Sequence, residues 1–354
     1  MNRYNVIGIM SGTSLDGLDI CYASYSIDKS WSFELKNVIT IELPKALKKS
    51  LKYATQLNGL DLSLLNNSLG DFIGQSINDF ININKISKSE IDFIASHGHT
   101  IFHQPDKRLT LQIGNGANIS AKTKLPVICD FRTTDLALNG NGAPLVPIGD
   151  QFLFPQYDSC VNLGGISNIS YNKNSIRIAY DICPINMVLN YLANKLSIEY
   201  DKDGKISESG KINAELLNQL NKLSYFNENP PKSLGYEWVN ENVFPLLENK
   251  RITIPDLLRT FTEHIAHQIS INLPKGKSLF TGGGTHNKFL IERIVKLSDS
   301  EIIIPSKEIV DFKEALIFGA LGVLRWRNEV NTLSSVTGSS YNNIGGCIYN
   351  SLTF

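Results

Sequence analysis

A chain of 354 residues with 42% hydrophobic content holds enough apolar material for two domains, or one large one, each with an ample core. Lys+Arg and Asp+Glu both number 34, so the zero formal charge gives no electrostatic case for nucleic acid or an anionic membrane as partner. The start enters a strand pattern with no basic leader, and no run nears the ~20 apolar residues of a membrane span. Five scattered cysteines (Cys21, Cys129, Cys160, Cys183, Cys347) with no Cys-x-x-Cys pair fit reduced thiols in a cytoplasmic protein.

Val6, Ile7, Ile9 and Met10 read as a buried strand, and Leu18-Asp-Ile-Cys-Tyr-Ala-Ser as a second. Between them Gly12, Thr13, Ser14, Asp16 and Gly17 form a small-residue turn. Glycines let a backbone approach a ligand, and successive N–H groups in a concavity bind anions, so the hairpin reads as a phosphate grip. It is not a Walker loop, which needs Gly-Lys-Ser/Thr opening a helix, nor a Rossmann fingerprint, since no helix follows. A third strand is expected near Ser32–Leu43, helix through much of Pro44–Ile86, and a short strand over Ile91–Ser96 running into His97-Gly-His-Thr100, where Gly98 suggests a turn. Thr110–Ile113 alternates as a strand. Pro126-Val-Ile-Cys-Asp-Phe-Arg132 starts another, and the domain boundary is placed near residue 125. Cys160–Tyr171 repeats the opening theme of strand, glycine turn and strand, with Gly164 and Gly165 at its tip.

Further on, Ser175–Tyr180 reads as a strand and Ile185–Leu196 as a helix, Asp201–Lys211 as a polar loop, and Ile254–Leu273 as a long helix. Lys277–Phe280 is a strand ending in Thr281-Gly-Gly-Gly-Thr285. Lys313–Trp326 is apolar nearly all round, which predicts a buried helix. The tail, Asn331–Phe354, is rich in Ser, Asn and Gly.

Several residues could carry chemistry. Asp16 and Asp19 beside the first turn suit a hard cation shared with phosphate oxygens. Gly282, Gly283 and Gly284 would let a nucleotide lie against the chain. Asp181, at a strand end, suits a general base for phosphoryl transfer, or else a cap for the next helix. Arg132 suits a carboxylate or phosphate clamp, or else a structural ion pair. His97 and His99, with His103, His264 and His267, raise a zinc-site alternative. Cys183 reads as a small buried residue.

Taken in chain order, a set of motifs resembles the anhydro-N-acetylmuramic acid kinases, within the acetate and sugar kinase / Hsp70 / actin superfamily. They are Gly-Ile-Met-Ser-Gly-Thr-Ser-Leu-Asp-Gly at 8–17, Ser-His-Gly-His-Thr at 96–100, Thr-Leu-Gln-Ile-Gly at 110–114, Asp-Phe-Arg at 130–132 and Gly-Ala-Pro-Leu-Val-Pro at 142–147. Asn-Leu-Gly-Gly-Ile-Ser-Asn at 162–168, Asp181 with Pro184 and Asn186, Pro-Pro-Lys-Ser at 230–233, Thr-Gly-Gly-Gly at 281–284 and Lys-Glu-Ala at 313–315 follow. The resemblance implies an α/β fold of two actin-like (ribonuclease H-like) domains with a nucleotide cleft between them. The first would cover 1–124, with the tail 335–354 packed back on it, and the second 125–334. It implies ATP and Mg²⁺ as cofactors and a small-molecule sugar as partner, with a homodimer as the assembly. ATP phosphates would meet Gly12, Thr13, Ser14, Leu15, Asp16, Gly17, Leu18 and Asp19, together with Gly164 and Gly165, while Gly282–Gly284 hold the adenosine side. Asp16 and Asp19 would hold Mg²⁺ through water, Asp181 would be the catalytic base, and Thr13, His99, Arg132 and Glu314 would touch the sugar. The implied reaction opens the 1,6-anhydro ring with water as ATP phosphorylates O6, in peptidoglycan recycling.

The chain departs from that family pattern at three places. Ile182-Cys-Pro-Ile-Asn186 stands for Thr-Gly-Pro-Gly/Ala-Asn, His99 for the Gln of His-Gly-Gln-Thr, and Gly235-Tyr-Glu237 for a Gly-Arg-Glu-like segment. The change beside the base leaves an alternative from another class, a nucleotide-binding regulatory protein of the same fold with weak or no turnover.

Overall fold

Strand β1 (Asn2–Ser11) lies antiparallel to β2 (Leu18–Ile27), from Asn2 opposite Ile27 to Met10 opposite Asp19, in a computed structural model that describes residues 2–12, 15–248 and 251–350. The expected phosphate-turn residues Thr13 and Ser14 fall outside the described residues. The chain divides into two units, one of residues 1–153 and 312–354, the other of residues 154–311.

In the first unit, β3 (Trp31–Ile41) extends the β1–β2 hairpin. The strand β4 (Phe93–Gln104) runs parallel to β1, β5 (Leu109–Ile113) folds back on β4, and β6 (Val127–Cys129) runs parallel to β4. A tail strand, Cys347–Tyr349, closes the far edge against β6. Because side chains alternate along a strand, β1 packs on both faces. Ile7 and Ile9 join Leu69, Ile73, Ile77 and Phe80 of helix Gly59–Ile83 in one apolar cluster. Asn58 starts that helix by accepting the Asp61 amide at 3.0 Å. Gly8 faces the other way, onto the part of helix Lys307–Trp326 that belongs to this unit. A Cβ at Gly8 would lie 2.0 Å from the Ala315 carbonyl oxygen. The approach is fastened by the Tyr25 hydroxyl, which donates to the Leu316 carbonyl at 2.6 Å.

Gly8→Ala must therefore push a backbone carbonyl aside. It is expected to destabilise by about 3 kcal/mol, the upper end of overpacking costs, read as a lower urea midpoint at unchanged slope.

The boundary expected near residue 125 falls inside this unit. Val127 and Ile128 pair with Ile94 and Ala95 of β4, and Gly149 of helix Val146–Leu153 abuts Ile317. The described part of the tail is well tied. Buried Asp135 accepts from Thr337 Oγ1 at 2.8 Å, from Asn343 Nδ2 at 2.7 Å and from the Gly142 amide at 2.8 Å, so one carboxylate joins the tail to the loop after β6.

In the second unit, β7 (Ser159–Leu163), β8 (Ile166–Lys173) and β9 (Ile176–Pro184) form an antiparallel meander. The strand β10 (Lys277–Thr281) adds parallel to β7, and β11 (Glu301–Ile303) parallel to β10. Helix Ile254–Asn272 opens on Thr253, whose hydroxyl accepts the Asp256 amide, with Pro255 in the first turn. It sets Leu257, Leu258, Phe261 and Ile265 into a core with Val161, Ile169, Ile182 and Phe280. The stretch expected as a polar loop, Asp201–Lys211, instead folds into short helical turns over Lys202–Gly204 and Lys205–Ser209. The Asp201 carboxylate nucleates them by accepting the Ile206 and Ser207 amides at 2.9 and 2.8 Å.

Candidate active site

Asp181 does not end its strand, as the sequence suggested, but lies inside β9. Ser167 pairs with Cys183 and Asn168 with Asp181, so β9 carries one extra residue, Ile182, as a bulge. The bulge lets both Ile182 and Cys183 enter the core, and it leaves Asp181 only half-buried. Helix Asn186–Asn194 has Ile185, not Asp181, at its N-cap, so the capping alternative does not apply. The Asp181 Oδ2 accepts the Leu234 amide at 2.9 Å. Its main chain is held by the Lys232 carbonyl at 3.2 Å and by the Tyr225 hydroxyl, which donates to the Asp181 carbonyl at 2.6 Å. Burial pushes its carboxyl up to about 6, against the lowering effect of the Leu234 N–H. The 225–234 segment is a support of which the sequence marked only the Pro-Pro-Lys-Ser motif at 230–233. The Lys232 Nζ donates to the Tyr225 carbonyl at 3.0 Å and sits 4.5 Å from the centre of that ring. Cys183 is fully buried and its thiol is pushed up to about 12 by burial, which suits an inert core residue.

Two glycine turns of this unit meet. The Gly164 and Gly165 carbonyls accept the amides of Asn186 and Ile185 at 3.3 and 2.8 Å, which ties the hairpin tip to the start of the following helix. Gly282, at φ +86°, leaves no room for a side chain, since a Cβ would lie 2.3 Å from Asn162 Oδ1. Gly284 packs on Leu163 in the same way, whereas a Cβ at Gly165 would meet open space. The Gly282–Gly284 run therefore nests against the strand end that leads into Gly164.

In the first unit, Gly12 and Leu15 flank the undescribed pair, and the Leu15 amide donates to the Gly12 carbonyl at 3.2 Å. Leu15 takes φ +59°, a left-handed value uncommon outside glycine. Asp16 is exposed. Asp19 accepts from the Thr40 hydroxyl at 2.6 Å, and Gly17 is pressed on Thr40 and Ile41. Leu18 is fully buried in the core, so only its main chain could face a ligand.

Gly98 does not make a turn. At φ +74° it lies in a bulge within β4, where Ile9 and Ser11 of β1 pair with Ser96 and His99. That extra residue breaks the alternation of His-x-His, and the two rings take separate partners. His99 Nδ1 lies 3.1 Å from Ser11 Oγ. His97 Nε2 accepts from Arg132 Nε at 3.0 Å, and its Nδ1 lies 3.0 Å from the Gly98 carbonyl. Burial holds both rings below the usual histidine range, and for His97 the Arg132 charge adds to it. Among the described residues no group of three or more His, Cys, Asp or Glu is arranged to hold a metal. In the second unit His264 lies buried between Phe226 and Phe261 with Nδ1 on Asn221 Oδ1 at 2.7 Å. Arg132 also donates from Nη1 to the Gly142 carbonyl at 2.6 Å. Burial lowers it to about 10, with the Glu314 and Asp135 charges opposing. Glu314 is raised by burial, with Lys313 and Arg132 pulling it down and Asp19 and Asp150 pushing it up, so these groups share one electrostatic environment. Neither Ser11 nor His97 stood out in sequence as a support. Their roles come from the bulge and from a pairing 88 residues distant.

Approachable main-chain turns together with a carboxyl poised just below neutral pH are the equipment of a phosphotransferase. The family profile for "Anhydro-N-acetylmuramic acid kinase" matches residues 4–351. A relative of that name from Sulfurovum sp. (strain NBC37-1) is 34% identical, covering 99% of this chain and 100% of its own. Others from Aliivibrio fischeri (strain ATCC 700601 / ES114) and Clostridioides difficile (strain 630) are each 34% identical, covering 99% and 94% of this chain and 99% and 95% of theirs. The chain belongs to the anhydro-N-acetylmuramic acid kinase family, and as such it is an ATP-dependent sugar kinase. Among the described residues no helix is long and apolar enough to cross a membrane.

Proposed function

We propose that the protein hydrolytically opens the ring of 1,6-anhydro-N-acetylmuramic acid and phosphorylates O6 from ATP, giving N-acetylmuramate 6-phosphate and ADP, in peptidoglycan recycling in a bacterial cytoplasm. The observation that carries this reading is Asp181, half-buried on a bulge, held by the Leu234 amide and raised to about 6, so that it is mostly ionised at neutral pH yet basic enough to take a proton. Asp181 accepts a proton from water as the water oxygen bonds to C1. The C1–O6 bond breaks, its electrons stay on O6, and O6 attacks the γ-phosphorus as ADP leaves. The main chain at Gly12, Leu15, Asp16, Gly17, Leu18 and Asp19, with Thr13 and Ser14, binds phosphate. In the second unit, Gly164 and Gly165 bind phosphate, and Gly282, Gly283 and Gly284 accept the nucleoside side. Thr13, His99, Arg132 and Glu314 contact the sugar, Arg132 taking the carboxylate that makes it an acid. Asp16, exposed, and Asp19, half-buried, fit a hard cation held through water, and Mg²⁺ there would offset phosphate charge.

ADP release from purified protein should require both ATP and the anhydro-sugar. ATP binding without sugar-dependent release would instead favour the regulatory alternative. Turnover should also titrate. Because the base must be ionised, kcat/KM for the sugar is expected to be level above pH 7 and to fall about tenfold per pH unit well below the raised value near 6. A profile flat down to pH 4.5 would remove Asp181 from the role.

A further inference from the structure

The hydrogen bonds of Arg132 are unusual for a half-buried cation. Its Nε donates to His97 Nε2 at 3.0 Å and its Nη1 to the Gly142 carbonyl at 2.6 Å, and both acceptors are uncharged. An arginine nitrogen only donates, so His97 Nε2 must offer its lone pair, and the ring proton sits on Nδ1, donating to the Gly98 carbonyl at 3.0 Å. The ring is buried, and its centre lies 4.6 Å from that of Phe318. The Gly98 bulge fixes the main chain beneath it. His97 is thus locked in one tautomer and one orientation, and it locks the guanidinium plane in turn. The Nη2 nitrogen takes part in neither of these bonds.

The choice of neutral partners matters. A carboxylate at Nε would offset the charge that an anionic ligand needs, whereas an imidazole lone pair and a carbonyl orient the fork without adding to the negative charge already present from Glu314 and Asp135. We propose that His97 is a positioning residue that aims Arg132 at the carboxylate of the sugar acid and so sets the preference for the acid over its uncharged counterpart. This rests on the function proposed above.

The test compares anhydro-N-acetylmuramate with anhydro-N-acetylglucosamine, the same bicyclic sugar without the carboxylate arm. His97→Phe keeps a ring against Phe318 but removes the acceptor, and His97→Gln returns an oxygen near the position of Nε2. His97→Phe is expected to raise KM for the acid about tenfold or more, with kcat falling less than KM rises, KM for ATP unmoved, and the preference for the acid reduced by the same factor. His97→Gln should recover most of that preference. An undiminished preference in His97→Phe, or an equal loss on both sugars, would overturn the proposal. Should that variant not fold, ¹⁵N spectra of wild-type protein still decide, because an Nε2-protonated His97 cannot accept from Arg132 and would overturn it. Wild-type protein inactive on both sugars would instead refute the underlying function, a result distinct from any change in preference.

Discussion

Replacing Asp181 by asparagine is expected to lower kcat by about 10³-fold, within the range that general-base catalysis contributes, while ATP binding stays within about twofold of wild type. The reasoning is local. The Asp181 Oδ2 accepts the Leu234 amide at 2.9 Å, and an asparagine carbonyl can keep that bond, so the bulged strand and the 225–234 segment should hold their form. The capacity to take a proton is what disappears. Single-turnover kinetics and titration calorimetry with ATP separate the two effects. A variant that kept near-normal kcat would remove Asp181 from the mechanism. One that lost ATP binding as well would mean that the change had disturbed the fold.

The second large effect concerns stability. Lys313 and Asp150 form an ion pair at 3.2 Å in the first unit, with each side chain only 4% exposed. Lys313→Met leaves a carboxylate buried without that cation and is expected to destabilise by about 3–5 kcal/mol. Adding Asp150→Leu removes the second charge and should return most of the loss, since a well-packed apolar pair is often as stable as the ion pair it replaces. Urea unfolding of the two singles and the double, read at constant slope, measures the coupling. A double variant no more stable than Lys313→Met would show that the charge pair is not what holds this point.

Much of the architecture was legible along the chain because local period reports local structure. The apolar run of Val6–Met10 and the helical spacing of Leu60, Leu64, Leu65, Leu69, Phe72 and Ile73 gave the first hairpin and the long helix behind it. The glycine turns at Gly164–Gly165 and Gly282–Gly284 were each visible, but their meeting was not, because it depends on β10 adding beside β7 across more than a hundred residues. The division into units was misplaced for a related reason. The strand β6 is three residues long and is followed by turn chemistry, so it reads as a fresh start until its pairing with β4 is known. Nor does anything local reveal that residues from Phe312 onward rejoin the first unit. By composition the tail read as only partly ordered, and its packing back on the first domain was implied by the resemblance alone; Thr337 and Asn343 share a buried carboxylate two hundred residues earlier in the chain.

The same limit shaped the site. Asp181 was identifiable as a carboxylate near the end of an apolar run, but its orientation comes from a bulge at Ile182, and a bulge has no sequence period of its own. His97 and His99 looked like a chelating pair under strict alternation, and the bulge at Gly98 gives them different partners. Where alternation breaks, the side chains that could do chemistry are redirected, and these are the places where reading by period fails.

The central claim is that water opens the anhydro ring as phosphate is transferred to O6. Reaction in ¹⁸O-labelled water followed by mass spectrometry of the product tests it most directly. The account predicts a sugar phosphate whose mass exceeds the substrate by one phosphoryl group and one water, with the label on the sugar and none in the phosphate. A phosphorylated product that retains the anhydro ring, or label recovered in phosphate, would contradict it.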